Sequence, residues 1–214
     1  MAGKDLKTLA EQLKKNHGVV LITTFDDGVD VGSVLNRKDW NDIDRIGHIG
    51  KGLPVASLPS VEGPFACMLA DFKRNHEMKL DASLSLLAPG SNVKGQLGNV
   101  ADVVVTFDSP QTYSLDLLQL EDAIEAQPQT FWTRALGQAL QEKRTRVVFQ
   151  VIRSKMSFQF RGSGGAGVSV NKFGLDAGWQ WRNEATIESK KELLVAVEYA
   201  RYDTGKRRFV PETQ

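Results

Sequence analysis

The sequence predicts an α+β protein: a twisted, mainly antiparallel β-sheet with an amphipathic helix at the N-terminus and short helices packed on the sheet. Three observations predict this fold class. Apolar residues recur with the period of a helix near the start of the chain, and in several later segments they alternate with polar residues at the period of a strand. Only two short helix-like segments interrupt the strand-like ones, which favours antiparallel pairing over a βαβ arrangement.

The first predicted element is a helix over residues 5–16. Four apolar residues recur at the spacing i, i+3, i+4 and i+7, so they share one face. They are Leu6, Leu9, Ala10 and Leu13. Asp5 can cap the start of this helix, and Gly18 can end it. The other face is rich in lysine, which is typical of a surface helix and also of a helix that touches a membrane.

A β-hairpin is predicted next. Residues 19–25 are rich in β-branched side chains, as strands are. Asp26-Asp27-Gly28 is a turn signal because Asp and Gly tolerate a positive φ. The return strand is expected to start at Val29. Prolines and glycines then predict a loop-rich region over residues 36–64.

The middle of the chain predicts two strands followed by two helices. Residues 77–87 alternate, and their apolar face consists of Met78, Leu80, Ala82, Leu84 and Leu86. A flexible connection over residues 89–99 leads to a strand over residues 100–107. Helices are predicted around residues 117–124 and over residues 130–142.

The last third of the chain is predicted to be β-structure. The predicted strands are residues 145–152, 155–161, 168–181 (with a bulge near Gly174) and 192–202. Met156, Phe158 and Phe160 share the apolar face of the second of these strands. We therefore expect a single domain over residues 1–202 and a short polar tail over residues 203–214.

Composition narrows the possible functions. The content of 41% hydrophobic and 25% charged residues is that of a soluble globular protein. A formal net charge of +1 does not indicate a nucleic-acid partner. No run of about 18 apolar residues is present, so no membrane-spanning helix is predicted. The first fifteen residues lack the apolar core of a signal peptide, so we expect a cytoplasmic protein.

A possible metal site begins at Asp26 and Asp27. The string Thr24-Phe25-Asp26-Asp27-Gly28 resembles the first motif of the polysaccharide deacetylases, which also supply two histidines as H-x-x-x-H. The histidines of this chain are His17, His48 and His76, too far apart for that pattern. The aspartates are therefore better explained as a turn.

Two further motifs also favour structural explanations. Residues 162–167 (GSGGAG) match G-x-G-x-x-G, but a strand-like segment follows them where a dinucleotide site needs a helix. Cys67 has no base beside it and is expected to be a small buried hydrophobic residue. The sequence therefore predicts no enzyme, no catalytic residue, no metal and no cofactor.

The order of the segments is similar to that of the pore-forming domain of the gasdermins, particularly the short bacterial and fungal members. The segments that carry this resemblance are KDLKTLAEQLKKNH, GVDVGSVL, LDASLSLLAPGSNVKGQLGNVADVVVTF, YSLDLLQLEDAI, RVVFQVIRSKMSFQF and KKELLVAVEYARY. The third segment resembles the family's first membrane-inserting hairpin, and the fifth resembles the strand that opens the second. Together they cover most of the chain.

The resemblance implies a protein that is soluble until triggered and then assembles into a large homo-oligomeric ring with a β-barrel pore. It implies a role in cell death or antiphage defence at the inner face of the cell membrane, and an activating protease as a possible partner. Anionic lipid head groups would contact Lys4, Lys7, Lys14 and Lys15. The membrane-inserting apolar faces would be Met78, Leu80, Leu84, Leu86, Met156, Phe158 and Phe160. Cleavage would occur near Lys206, Arg207 and Arg208.

Two other functions remain open. An alternating strand can equally pack one face on a soluble core and expose the other to water. The second hypothesis is therefore a soluble, non-enzymatic α+β binding module, such as an immunity or regulatory protein. The third is a metal-dependent deacetylase that uses Asp26 and Asp27.

Overall fold

The computed structural model describes residues 6–21, 28–37, 43–53, 59–69, 72, 75–79, 97, 99–163, 168–170, 175 and 178–212. The helices are α1 (Leu6–His17), α2 (Leu117–Glu125), α3 (Pro128–Trp132) and α4 (Ala135–Leu140), with a 3₁₀ helix over Ile49–Lys51. The strands are β1 (Val20–Leu21), β2 (Ser33–Arg37), β3 (Ile43–His48), β4 (Val61–Ala66), β5 (His76–Lys79), β6 (Asp102–Leu115), β7 (Thr145–Arg161), β8 (Trp179–Trp181), β9 (Thr186–Ser189), β10 (Leu193–Asp203) and β11 (Arg208–Pro211).

All of these strands belong to one antiparallel sheet with β7 at its centre. On one side, β7 pairs with β2 near its start and with β6 along the rest of its length. On the other side, it pairs first with β10 and then with β9. The outer side of β6 carries β5 and β4, and the outer side of β10 carries β1 and β11. The predicted α+β fold with a mainly antiparallel sheet is confirmed.

Two hydrophobic cores pack against this sheet. Core 1 joins α1, the second half of β7, the first half of β6, β9 and the start of β10; its largest fully buried side chains include Leu13, Phe72, Phe158 and Phe160. Core 2 joins α2, α3 and α4 to β2, the first half of β7, and β10; its fully buried side chains include Leu35, Leu120 and Phe131. The helices of the middle of the chain therefore cover only one part of the sheet.

Local sequence explains the helices beside core 2. Asp116 caps α2, since its Oδ1 accepts a hydrogen bond of 2.8 Å from the backbone N–H of Leu118. The single helix predicted over residues 130–142 is two helices, α3 and α4. A side chain at Gly137 would collide with the carbonyl group of Phe131, so this glycine allows α4 to turn back tightly against α3.

The predicted first hairpin is wrong. Residues Val20–Leu21 pair with β10, whereas β2 pairs with β3 and β7. Val29 is buried in core 2 rather than flanking an exposed turn. Asp26 and Asp27 lie outside the described residues. The turn signal was local, but the partner of β1 is about 175 residues away in sequence, and no local pattern encodes that pairing.

Three other predictions need correction. The region 36–64, predicted to be loop-rich, also contains β3, the 3₁₀ helix and the start of β4. The segments 145–152 and 155–161 form one strand, β7. The polar tail predicted over residues 203–214 contains β11, which pairs with β10 and buries Phe209 in core 2.

Candidate functional site

The predicted apolar face of β7 lies inside core 1. Met156, Phe158 and Phe160 have relative exposures of 4%, 0% and 1%. The ring of Phe158 meets Trp179 edge to face, with centroids 5.2 Å apart, and Phe160 lies 6.1 Å from Trp181. Alternation along the strand identified this face correctly, and the structure covers it with β8 and β9.

Strand β6 continues the same apolar surface. Cross-strand pairs join Val103 to Phe160, Val105 to Phe158, and Phe107 to Met156. The ring of Phe107 also lies 5.0 Å from that of Phe72. Six side chains thus form an unbroken apolar stripe across two adjacent strands.

The opposite face of the two strands is mainly polar. Asp102, Thr106 and Asp108 of β6 pair with Arg161, Ser157 and Lys155 of β7, and all six are partly or fully exposed. The exception is Val104, which is buried opposite the exposed Gln159. The strand pair therefore has one apolar and one polar face.

The first predicted inserting segment is described only in part. Met78 lies in β5, where its backbone pairs with Val103. Leu80, Leu84 and Leu86 lie outside the described residues. The predicted strand over residues 77–87 is therefore described only as far as Lys79.

The predicted lipid-contacting lysines lie on or before α1. Lys14 and Lys15 are exposed, and the neighbouring Leu13 is buried in core 1 and anchors the helix to the sheet. Lys4 and the side chain of Lys7 lie outside the described residues. At least two of the four lysines thus reach solvent on an anchored helix.

The predicted cleavage region forms the tight turn between β10 and β11. Lys206, Arg207 and Arg208 are all exposed. Asp203 Oδ1 accepts hydrogen bonds from the backbone N–H groups of Lys206 (3.1 Å) and Gly205 (3.0 Å). These bonds, the Lys206 bond most of all, hold the pKa of Asp203 below its ordinary value. The turn is therefore basic and exposed.

Sequence reasoning missed a contact that holds this turn against the helices. A small pocket is lined by Glu121, Ile124, Glu125, Pro128, Trp132, Tyr202 and Arg207. The carboxylate of Glu121 accepts a hydrogen bond from the backbone N–H of Phe209. The rings of Trp132 and Tyr202 lie 4.5 Å apart. These residues are separated by up to 88 positions in sequence, so no local motif could have revealed them.

The surroundings of Tyr202 in this pocket shift its pKa in two opposite directions. Burial raises the pKa of Tyr202 above its ordinary value, and the carboxylates of Glu125 and Glu121 reinforce the increase. The guanidinium of Arg207 donates a hydrogen bond to the phenol and works against it. Arg207 has a φ of 53°, the left-handed region that favours glycine. The turn thus carries an arginine where glycine would be less strained.

Two of the residues considered for metal or nucleophilic chemistry, His48 and Cys67, have structural roles. His48 Nε2 lies 2.8 Å from the carbonyl oxygen of Val31, and its Nδ1 accepts from the N–H of Gly50. Cys67 is buried in core 1. Within the described ranges, no three His, Cys, Asp or Glu side chains lie close enough together to hold a metal ion. In the same part of the chain, no helix is long and apolar enough to cross a membrane.

Comparison with known proteins identifies the fold. No protein-family model and no curated protein sequence matches the chain. Among solved structures, the chain is similar to a bacterial gasdermin from Bradyrhizobium tropiciagri, with a TM-score of 0.63 and 13% identity. The match covers 95% of this chain and 89% of that one. The chain therefore has a gasdermin-like fold.

Proposed function

We propose that this protein is a pore former that is soluble until triggered and then assembles into a homo-oligomeric β-barrel in a membrane. The observation that carries this proposal is the β6–β7 pair, which joins a continuous apolar stripe to a mainly polar opposite face. The gasdermin-like fold supports it. The biological role that we propose is cell death or antiphage defence.

Strand geometry is compatible with a barrel wall. A membrane-spanning strand needs about 9–11 residues, with lipid on one face and water on the other. Strands β6 and β7 have 14 and 17 residues. In a closed barrel every backbone N–H and C=O group is paired, so hydrocarbon can surround the outer face. On insertion, the apolar stripe would lose its contacts with the other side chains of core 1 and would contact lipid tails instead.

We propose that the lysines of α1 bring the protein to the membrane. Lys14 and Lys15, with Lys4 and Lys7, would contact anionic head groups on the inner face of the cell membrane, to which the protein would move from the cytoplasm. Each exposed lysine near such a surface contributes about 1 kcal/mol. This action requires no catalytic residue, no cofactor and no nucleic acid.

The proposed trigger is cleavage in the β10–β11 turn. A protease that cuts after Lys206, Arg207 or Arg208 would separate β11 from the rest of the chain. The exposure of the turn supports the proposal, and the β11 contacts identify what would be released: Phe209 from core 2 and the hydrogen bond to Glu121.

Dye release tests the proposal. Purified protein is added to vesicles of phosphatidylserine and phosphatidylcholine, and to vesicles of phosphatidylcholine alone, with and without limited trypsin digestion. We expect release from the anionic vesicles and ring-shaped oligomers by electron microscopy. Protein that remains folded but releases no dye and forms no rings in any of the four conditions would refute the proposal.

One observation favours a second candidate function. Met156, Phe158 and Phe160 are as deeply buried as the core of any stable soluble protein, which is what a soluble binding or immunity module requires. Such a module would ignore vesicles of either composition and would purify with one specific protein from its native cell. The dye-release assay therefore separates the two candidates.

A further inference from the structure

The pocket beside the β10–β11 turn combines two carboxylates with two aromatic rings. Glu121 and Glu125 lie four residues apart on α2, so they share one face of the helix. The ring of Trp132 in α3 lies 4.5 Å from that of Tyr202 in β10, at an interplanar angle of 40°. The buried Ile124 lines the pocket with them. The lining therefore offers negative charge and aromatic surface together.

Core 2 holds both rings in position. Trp132 packs edge to face against Phe131, with centroids 4.9 Å apart. Tyr202 packs against Phe209, with centroids 5.2 Å apart. Phe131 and Phe209 are themselves buried. The aromatic part of the pocket is thus pre-formed, so a ligand would not have to order it on binding.

The helix that supplies the carboxylates carries no basic residue. Its sequence is LLQLEDAIE, and the capping residue Asp116 adds a fourth acidic side chain. Glu121 accepts a hydrogen bond from the backbone N–H of Phe209. A carboxylate offers about four lone-pair sites, and Glu125 is exposed. A cation that enters the pocket can therefore still pair with a carboxylate.

Arg207 shows which cation fits this lining. Its side chain lines the pocket, and its guanidinium donates a hydrogen bond to the phenol of Tyr202. A guanidinium is planar, stacks on aromatic faces and carries five N–H donors, so it suits rings and carboxylates better than the compact ammonium of lysine does. Because Arg207 is exposed and lies on a turn, its side chain can turn out into solvent and leave the pocket to another guanidinium.

We propose that this pocket is a binding site for an arginine side chain of a partner protein, and that Arg207 occupies the site when no partner is present. In the complex, the incoming guanidinium contacts the rings of Trp132 and Tyr202 and pairs with Glu125. Arg207 is an internal competitor, since its tether keeps it near the pocket at a high effective concentration. This inference goes beyond the pore-forming function and does not depend on it.

Removing the internal competitor should strengthen binding. An external ligand can bind only those molecules from which Arg207 has left the pocket, so its apparent affinity is reduced by that fraction. We expect Arg207→Gly, which accepts the φ of 53°, to lower the Kd for an external arginine by about tenfold. Arg207→Asn is the second variant, because asparagine also tolerates this φ.

An NMR titration measures this Kd. The probe is N-acetyl-arginine amide, and its neutral isostere N-acetyl-citrulline amide is the control, both at constant ionic strength. The signal that is followed is the indole N–H of Trp132, which is assigned by its loss in Trp132→Phe. A dispersed amide spectrum shows that each variant is folded. We expect the arginine probe to shift this signal and the citrulline probe to leave it in place.

A matched pair of substitutions tests the role of the carboxylate. In the Arg207→Gly background, Glu125→Gln removes a charge that lines the pocket, whereas Asp122→Asn removes one from an exposed position of the same helix. We expect Glu125→Gln to weaken binding of the arginine probe several-fold. Asp122→Asn should change it far less, because water and salt screen a charge outside the pocket.

Three results would overturn the proposal. The first is an equal shift of the Trp132 signal by the arginine and citrulline probes. The second is that neither Arg207→Gly nor Arg207→Asn binds the arginine probe more tightly than the unsubstituted chain does. The third is equal weakening by Glu125→Gln and Asp122→Asn. None of these measurements involves a membrane, so each outcome leaves the pore-forming function to its own test.

Discussion

Phe158 lies at the centre of the apolar stripe formed by β6 and β7. Its side chain is fully buried between β6, β9 and Trp179. Truncating a buried phenylalanine to alanine removes apolar contacts and leaves a cavity, which costs about 3–5 kcal/mol. We predict that Phe158→Ala lowers the free energy of unfolding by that amount, measured by urea denaturation. The matched change at exposed Gln159 should have an effect within about 0.5 kcal/mol.

A second prediction concerns the strained backbone at Arg207. Both Arg207→Ala and Arg207→Gly remove the guanidinium that bonds to Tyr202, but only glycine accepts a φ of 53° without strain. We therefore expect Arg207→Gly to be more stable than Arg207→Ala by about 1 kcal/mol, as measured by urea denaturation. Equal stabilities would show that the turn relaxes to another conformation.

Tyr202 gives a prediction about alkaline pH. Since its pKa in the folded state lies above the ordinary value of 10.0, the folded protein favours the neutral phenol. The resulting stabilisation is fully present below about pH 10 and is lost as the pH rises through the folded-state pKa. As the pH rises above about 10, the free energy of unfolding should fall more steeply for the unsubstituted chain than for Tyr202→Phe. Parallel curves would contradict this.

At the scale of elements, α1 provides the test of membrane recruitment. Lys14 and Lys15 are exposed, so neutralising them should leave the fold intact. Lys14→Gln with Lys15→Gln should weaken binding to phosphatidylserine vesicles by about 2 kcal/mol, or roughly thirtyfold, in a sedimentation assay. Lys190→Gln with Lys191→Gln removes the same charge from exposed positions between β9 and β10 and should change binding far less. Equal losses in the two pairs would indicate non-specific attraction.

The elements that the sequence predicted best are those with a local signal. The helix around residues 117–124, the strand over residues 192–202 and the apolar face of β7 all follow from periodicity alone. Strand β7 looked like two strands because its first part buries residues on both faces: Val151 lies in core 2 and the adjacent Ile152 in core 1. Burial on both faces removes the apolar–polar alternation of the second part, and a single sequence does not distinguish that change from a break between two strands.

Contacts between distant segments could not be predicted from the sequence, for a different reason. Glu121, Tyr202 and Phe209 lie on three different elements, and each residue alone is ordinary for its position on a helix or strand. Their meeting depends on how α2 packs against β10 and β11. The apolar face of β7 could therefore be predicted from alternation, whereas the contact between Glu121 and the β10–β11 segment required the three-dimensional fold.

At the scale of the whole molecule, the segment that follows the β10–β11 turn contacts several distant parts of the fold. Strand β11 lies at the edge of the sheet and contributes to core 2 through Phe209. Its following residue Glu212 forms the ion pair with Arg146 at the start of β7. Removing this segment would expose the outer edge of β10 over Ala200–Asp203 and leave the buried part of Arg146 without its carboxylate. An uncovered strand edge is free to pair with another chain.

We therefore predict that a chain ending at Arg207 unfolds at lower urea concentration than the full chain and releases dye from anionic vesicles faster. Loss of the Phe209 side chain alone should cost about 3–5 kcal/mol. Trypsin treatment of the full chain should mimic the truncation, and the Lys206→Gln, Arg207→Gln, Arg208→Gln variant should resist cleavage within this turn. If the truncated chain is less stable but releases dye no faster than the full chain, β11 stabilises the fold without restraining insertion. That result would refute the proposal that cleavage in the β10–β11 turn is the trigger.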